Sequence, residues 1–324
     1  RPMPELHHNY LPQQYEITGA PPINHNYLPQ QFADPEPILE EIRGLVRRGD
    51  YTLGKAVDEL EAAFCRITGT KYAIGVGSGT DAIFLSLKAA GIDKGDEVIT
   101  VPYTFYATIG AIVTAGAQPV FVDVGEDYNM DPDKIEAAIT PDTKAIMPVD
   151  FRGHPANLPE IRKIADKYYL KVIEDGSHSI GSTYTHNGKE YACGDGVHAD
   201  ICTYSFHPVK HITTGEGGAV LTNDANIYDR AFLLRKHGID RREEMFSEQK
   251  RMGSWVYDME ALGFNYRITD FQAALDDRLT IAQDTVGTLN VTDNDSDPDS
   301  ALAFSTLTVV TNPASGTVTL ATSE

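Results

Sequence analysis

An acid at the end of an apolar strand is the first feature of this chain that could do chemistry. Val172-Ile173-Glu174 runs into Asp175-Gly176-Ser177-His178. A carboxylate at a strand's C-terminal end points into the crevice where ligands of open α/β sheets sit. There Asp175 can pair with a pyridinium nitrogen and keep it protonated, so that the ring accepts electrons. On this segment alone it reads equally well as a helix N-cap. A second strand end leads through Ser205-Phe206-His207-Pro208-Val209 to Lys210, with Thr213-Thr214-Gly215-Glu216-Gly217-Gly218 following. An amine desolvated in such surroundings has a lowered pKa and can form a Schiff base, although most lysines are solvated surface charges. Gly77-Ser78-Gly79-Thr80-Asp81 falls between a strand and a helix. Its glycines permit the tight turn, and the first helical amides are free donors at a positive dipole end, which makes a phosphate cradle. The plainer reading is a turn that needs small residues. Leu262-Gly263-Phe264-Asn265-Tyr266-Arg267 displays polar side chains in an apolar turn and by itself is a surface turn.

The elements that must position these residues alternate. Apolar spacing predicts helices over 35–46, 55–67, 81–90, 106–115, 132–139 and 158–168. Strands are predicted over 72–76, 97–101, 119–123, 145–148, 171–174, 201–205 and 218–222. Helix and strand in alternation predict an α/β fold with a mostly parallel sheet covered on both faces. After Leu275 the text changes to Val, Thr, Ser, Asn and Asp, with turn signals at Asn312-Pro313 and Ser315-Gly316, which suggests a hairpin. At the other end His8-Asn9-Tyr10-Leu11-Pro12-Gln13-Gln14 recurs as His25-Asn26-Tyr27-Leu28-Pro29-Gln30-Gln31, an offset of 17 residues. One short repeat is no solenoid. The expected organisation is a duplicated tail over 1–22, an enzyme domain over 23–278, and a β-rich acidic tail over 279–324.

Composition sets outer limits. The 324 residues are 41% hydrophobic and 23% charged, enough for a large domain and a smaller one. With 27 basic against 47 acidic residues the net charge is −20, which repels phosphate backbones and argues against nucleic acid. An anionic substrate would need a local cluster of donors. No apolar run is long enough for a membrane span, and no signal peptide is recognisable. Cys65, Cys193 and Cys202 form no CxxC pair, so the expectation is free thiols in a reducing cytoplasm, with no disulfide or metal framework.

Taken in order and spacing, these motifs resemble the DegT/DnrJ/StrS family of sugar aminotransferases, pyridoxal-phosphate (PLP) enzymes of the aspartate-aminotransferase fold type. The resemblance covers about 23–275 and includes GDYTLGKAVDELEAAF from Gly49 to Phe64. It implies a PLP-transferase large domain with roles for particular residues. Lys210 matches the Schiff-base lysine, Asp175 the acid on the ring nitrogen, and His178 the neighbour of the ring's phenolic oxygen. Gly79, Thr80 and Ser205 match phosphate contacts, and Phe105 an aromatic ring stacked on the cofactor. Asn265 matches a residue reaching the phosphate of the partner subunit's cofactor, so the resemblance implies a homodimer with shared active sites. It also implies transamination of a keto group on a nucleotide-linked deoxysugar, with glutamate as amino donor.

Family members of this kind continue into a smaller C-terminal α/β domain. Here the text departs after Leu275, and the small domain is expected to be truncated or replaced by the β-rich tail, with activity impaired. That tail weakly resembles a cadherin-like or VCBS-type adhesion repeat. Its Asp293-Asn294-Asp295-Ser296-Asp297-Pro298-Asp299 cluster is either a calcium loop or a solvated acidic turn. Three rivals stay open. A sugar dehydratase on the same scaffold would carry histidine in place of Lys210. A non-catalytic binding or adhesion fragment would be colourless. A nicotinamide dehydrogenase would need glycine where Thr80 stands in Gly75-Val76-Gly77-Ser78-Gly79-Thr80.

Overall fold

Two amphipathic helices lead into the sheet. The first, α1 (Glu36–Arg48), starts at a proline, buries Ile38 and Leu45, and stops at Gly49 in the left-handed conformation (φ 77°). The second, α2 (Lys55–Thr68), buries Val57, Leu60 and Phe64. Burying one apolar stripe on a neighbour is what holds such helices in place. The computed structural model describes residues 32–240 and 258–276, all within one compact unit, Leu28–Leu279. Both expected tails lie outside the described residues, and so do the repeat and the acidic cluster.

Strand and helix then alternate: β1 (Tyr72–Val76), α3 (Gly79–Ala89), β2 (Glu97–Thr100), α4 (Tyr106–Thr114), β3 (Gln118–Phe121), α5 (Ile135–Ala138), β4 (Thr143–Ile146), α6 (Leu158–Tyr168) and β5 (Lys171–Asp175). A hairpin, β6 (Thr183–His186) and β7 (Lys189–Ala192), precedes β8 (Ile201–Ser205), β9 (Gly218–Thr222) and α7 (Ala225–Arg235). Two short pairing segments, β10 (Ile239–Asp240) and β11 (Asp258–Met259), and the one-turn helix α8 (Asp270–Ala273) complete the described chain.

Seven strands make one sheet in the order β1-β9-β8-β5-β4-β2-β3. Six point the same way, and β9 alone is antiparallel to both its neighbours. The sheet is therefore mostly parallel, as expected. Helices cover both faces, because alternate residues of each strand serve opposite cores. Ile173 joins Ile74, Leu85, Ile112 and Val220 in one core beneath α3, α4 and α7. Its neighbour Val172 joins Ile99, Ile146, Ile161 and Ala165 in another beneath α6. A third core gathers Val57, Phe64, Tyr204, Phe206 and Leu221 against α2. The shared strand direction brings the C-terminal ends of β5, β8 and β1 to one edge.

Candidate active site

Asp175 ends β5 as a buried carboxylate, 4% exposed. Its Oδ2 accepts a hydrogen bond from Thr108 Oγ1 at 2.7 Å, and its Oδ1 accepts from Ser177 Oγ at 2.6 Å. Hydroxyl donors fix the group, yet an ionised carboxylate has about four acceptor positions, so further capacity remains for an N–H donor. Thr108 comes from the first turn of α4. That contact ties the helix beginning just after Phe105 to the strand end.

Lys210 lies in the tight turn after β8, where its N–H donates to the His207 carbonyl at 2.8 Å. Its side chain is half-buried. Burial lowers the amine's pKa, and the nearby Asp175 carboxylate partly restores it. His178, also half-buried, is held below its ordinary pKa by burial and by the Lys210 charge, against the pull of Asp175. Asp175, Lys210 and His178 thus share one electrostatic neighbourhood.

The glycine turn meets the end of β8. A Cβ on Gly79 would lie 2.6 Å from Ser205 Cβ, so only glycine fits this approach. Ser78 caps α3 by accepting from the Asp81 N–H at 3.0 Å, and Ala82 donates to the Ser78 carbonyl. The amides of Gly79 and Thr80 stay outside the helical ladder, because first-turn donors have no acceptor one turn back. Gly79 is buried against Ser205, and Thr80 is exposed. These residues form an anion-binding corner at a helix N-terminus.

Phe105 is 59% exposed, with its ring centroid 4.1 Å from that of Tyr106. Asn265 is exposed as well, and its backbone bridges to Lys236. Next to it, the Tyr266 carbonyl accepts from Gly77 N–H at 2.9 Å. The segment carrying Asn265 therefore runs beside the glycine turn, while the Asn265 side chain makes no hydrogen bond among the described residues. Surface cavities of about 380 and 480 Å³ lie elsewhere, and none of the predicted site residues lines either.

Sequence reasoning missed Thr108, although it stands only three residues after Phe105. It also missed Asp150, whose N–H donates to the Asp175 carbonyl at 3.1 Å. Neither has a local signal, since Thr108 meets Asp175 only through the docking of α4 and Asp150 only through the pairing beside β5.

A strand-end acid beside a desolvated amine, next to a helix N-terminus on an open parallel sheet, defines a cofactor-using α/β enzyme of the PLP-transferase type. The chain belongs to the DegT/DnrJ/EryC1/StrS aminotransferase family, whose family model matches residues 33–279. Among curated relatives, the spore coat polysaccharide biosynthesis protein SpsC of Bacillus subtilis is 38% identical over 238 residues, 73% of this chain and 59% of that protein. Among solved structures, DesV of S. venezuelae, in complex with a ketimine intermediate, aligns with a TM-score of 0.71 and 34% identity, covering 80% of this chain and 66% of that one. NtdA of Bacillus subtilis with bound cofactor PMP aligns with a TM-score of 0.65 and 34% identity, covering 76% and 52%. The chain spans about 58–60% of the length of the curated relatives it matches. Among the described residues, no helix is long and apolar enough to cross a membrane.

Proposed function

We propose that this chain carries the PLP site of a transaminase that acts on a keto group of a nucleotide-linked deoxysugar, with glutamate as amino donor. One observation carries the reading: the half-buried Lys210 amine has its pKa lowered by burial beside the buried Asp175 carboxylate. The residues present fit the cofactor. The corner where Gly79 approaches Ser205, together with the Gly79 and Thr80 amides, would take its phosphate. Asp175, fixed by Thr108 and Ser177, would take the ring nitrogen. His178 would stand by the phenolic oxygen and Phe105 against the ring.

PLP, when bound, supplies an electron sink for charge developing on the substrate carbon. The protein's part is to hold and move protons. Asp175 keeps the ring nitrogen protonated, which requires a buried acid that stays ionised. Lys210 would anchor the cofactor through its amine and, once free, would move a proton at Nζ between the substrate carbon and the cofactor's C4′ carbon. Its lowered pKa favours the neutral amine that both roles need. The exposed Asn265, beside the glycine turn, would reach the cofactor phosphate of a partner subunit, and the working unit would be a homodimer. The cytoplasm is the expected setting, in keeping with the free thiols of Cys65, Cys193 and Cys202.

The test is transamination by the full chain supplied with PLP, glutamate and a panel of nucleotide-linked keto-deoxysugars. Amino sugar should form with the wild type and fall below detection with Lys210→Ala. Equal activity in that variant contradicts the assignment. Loss of the sugar hydroxyl without amination would favour the dehydratase rival.

A further inference from the structure

Behind Asp175, on the side away from the crevice residues, three acidic side chains meet without a base. Asp150 is 0% exposed, Glu174 1% and Cys193 1%. One ligand-type atom of each lies within 4.8 Å of the others. No lysine, arginine or histidine forms an ion pair with Asp150 or Glu174 among the described residues. Two carboxylates this close in a low-dielectric interior cannot both ionise.

We propose that Asp150 and Glu174 hold one proton between them, resident on Glu174, and that the ionised Asp150 is the positioning residue for the segment 175–179. Hydrogen bonds say where the proton sits. Asp150 accepts from Ala156 N–H at 2.9 Å and from Ser179 Oγ at 2.6 Å, and two donors favour its charged form. Glu174 Oε2 accepts from Gly194 N–H at 3.1 Å, while its Oε1 is buried with no hydrogen-bond acceptor or donor fixed on it. A proton on Oε1 facing Asp150 removes that orphan. The Glu174 carboxyl is pushed well above the ordinary range by burial and then by the Asp150 charge. Cys193, Cys202, Tyr184 and Tyr204 also face the pair and are kept neutral by burial, while the neighbouring Asp175 carboxylate disfavours charge on Asp150 and the Ala156 and Ser179 donors favour it.

Asp150 grips both ends of the segment that carries Asp175 and His178. Its N–H donates to the Asp175 carbonyl at 3.1 Å, and Asp175 N–H donates to the Pro148 carbonyl at 2.9 Å. At the far end its carboxylate takes the Ser179 hydroxyl. The segment that carries Asp175 and His178 is therefore held from behind, at its start by the Asp150 main chain and at its end by the Asp150 carboxylate, which touches neither cofactor nor substrate.

The shared proton is tested first, on the full chain without cofactor, by infrared spectroscopy with ¹³C-labelled glutamate. A protonated glutamate band at neutral pH, lost in Glu174→Gln, is expected. Absence of the band, its persistence in the variant, or a stoichiometric metal ion in place of the proton overturns this part. The positioning role rests on the Proposed function and is tested with PLP added. Asp150→Asn should shift to lower pH the titration of the cofactor's visible band. Glu174→Gln, whose amide can donate to Asp150 and accept from Gly194, should keep the wild-type profile. An unshifted Asp150→Asn profile overturns the role. If Asp150→Asn does not fold, Ser179→Ala cuts the same grip and must alter the profile. A chain that binds no PLP would refute the Proposed function and leave the infrared result to decide the proton.

Discussion

Thr108 and Gly79 show how much of this site depends on single atoms. The Thr108 hydroxyl is one of two side-chain donors on Asp175, and hydrogen bonds to charged groups contribute about 1.5–3 kcal/mol. Thr108→Val keeps the shape and removes the donor. It should lower unfolding free energy by about that amount in denaturant titrations, and loosen PLP binding where binding is measured. Gly79→Ala should destabilise by roughly 1–3 kcal/mol, the usual cost of forcing an atom into a filled space, because the new Cβ meets Ser205 on a central strand. A wild-type melting curve for the alanine variant would show that the corner can open. At this scale the sequence was readable where chemistry and punctuation coincide. Asp175 and Lys210 follow strand ends, and Gly79 follows a strand before a helix. Thr108 and Asp150 were not readable, since their partner lies 67 and 25 residues away and only the β4–β5 pairing and the α4 docking bring them together.

Two long-range ties fix the elements around the glycine turn. Arg235, at the end of α7, donates to Glu61 at 2.5 Å and to the Gly75 carbonyl at 2.8 Å, while Gly75 N–H donates to the same Glu61 oxygen. Arg235 also offers its own carbonyl to Tyr266 N–H at 3.1 Å. One buried residue thus holds α2, β1 and the Asn265 segment in register. Removing one partner of a buried ion pair costs about 3–5 kcal/mol, so Arg235→Met should show a loss of that size by calorimetry or denaturant. The second tie is Asp270, 0% exposed, which accepts from Gly54 N–H at 2.9 Å and caps α2 from the far end of the domain. Loss of such a cap costs about 1 kcal/mol, the expected effect of Asp270→Ala, together with fraying of 52–54 seen by hydrogen exchange. Helix α7 is absent from the sequence reading for a physical reason. Its buried stripe is Ile227, Ala231 and Arg235, so the apolar period ends on a charge and breaks. The β6–β7 hairpin was missed because its strands are only partly buried and show no apolar run. The parallel strands were found to within two residues, the inner ones because they are buried on both faces and the edge strand β3 despite its partial exposure.

For the molecule as a whole, the net charge of −20 is matched by acids held inside. Asp150, Glu174 and Glu61 all have pKa values raised by burial. The folded chain therefore binds more protons than the unfolded chain above the ordinary carboxylate range, and its stability must fall as pH rises through that interval. Asp200 works in the opposite sense. Its pKa is lowered by its hydrogen bonds with Val172, Lys171 and Arg162, so its contribution is present above the ordinary range and lost in stronger acid. Thermal melts across pH should peak in mild acid, and Glu174→Gln should flatten the alkaline limb. A maximum above neutral pH would mean the buried acids ionise freely.

Borohydride trapping tests directly the proposed role of Lys210 as the residue that carries the cofactor. Purified chain mixed with PLP is reduced, digested, and its modified peptide sequenced. A visible band that reduction abolishes is expected, with the pyridoxyl group on Lys210. Label on another lysine, or none on a chain that melts cooperatively, would contradict it.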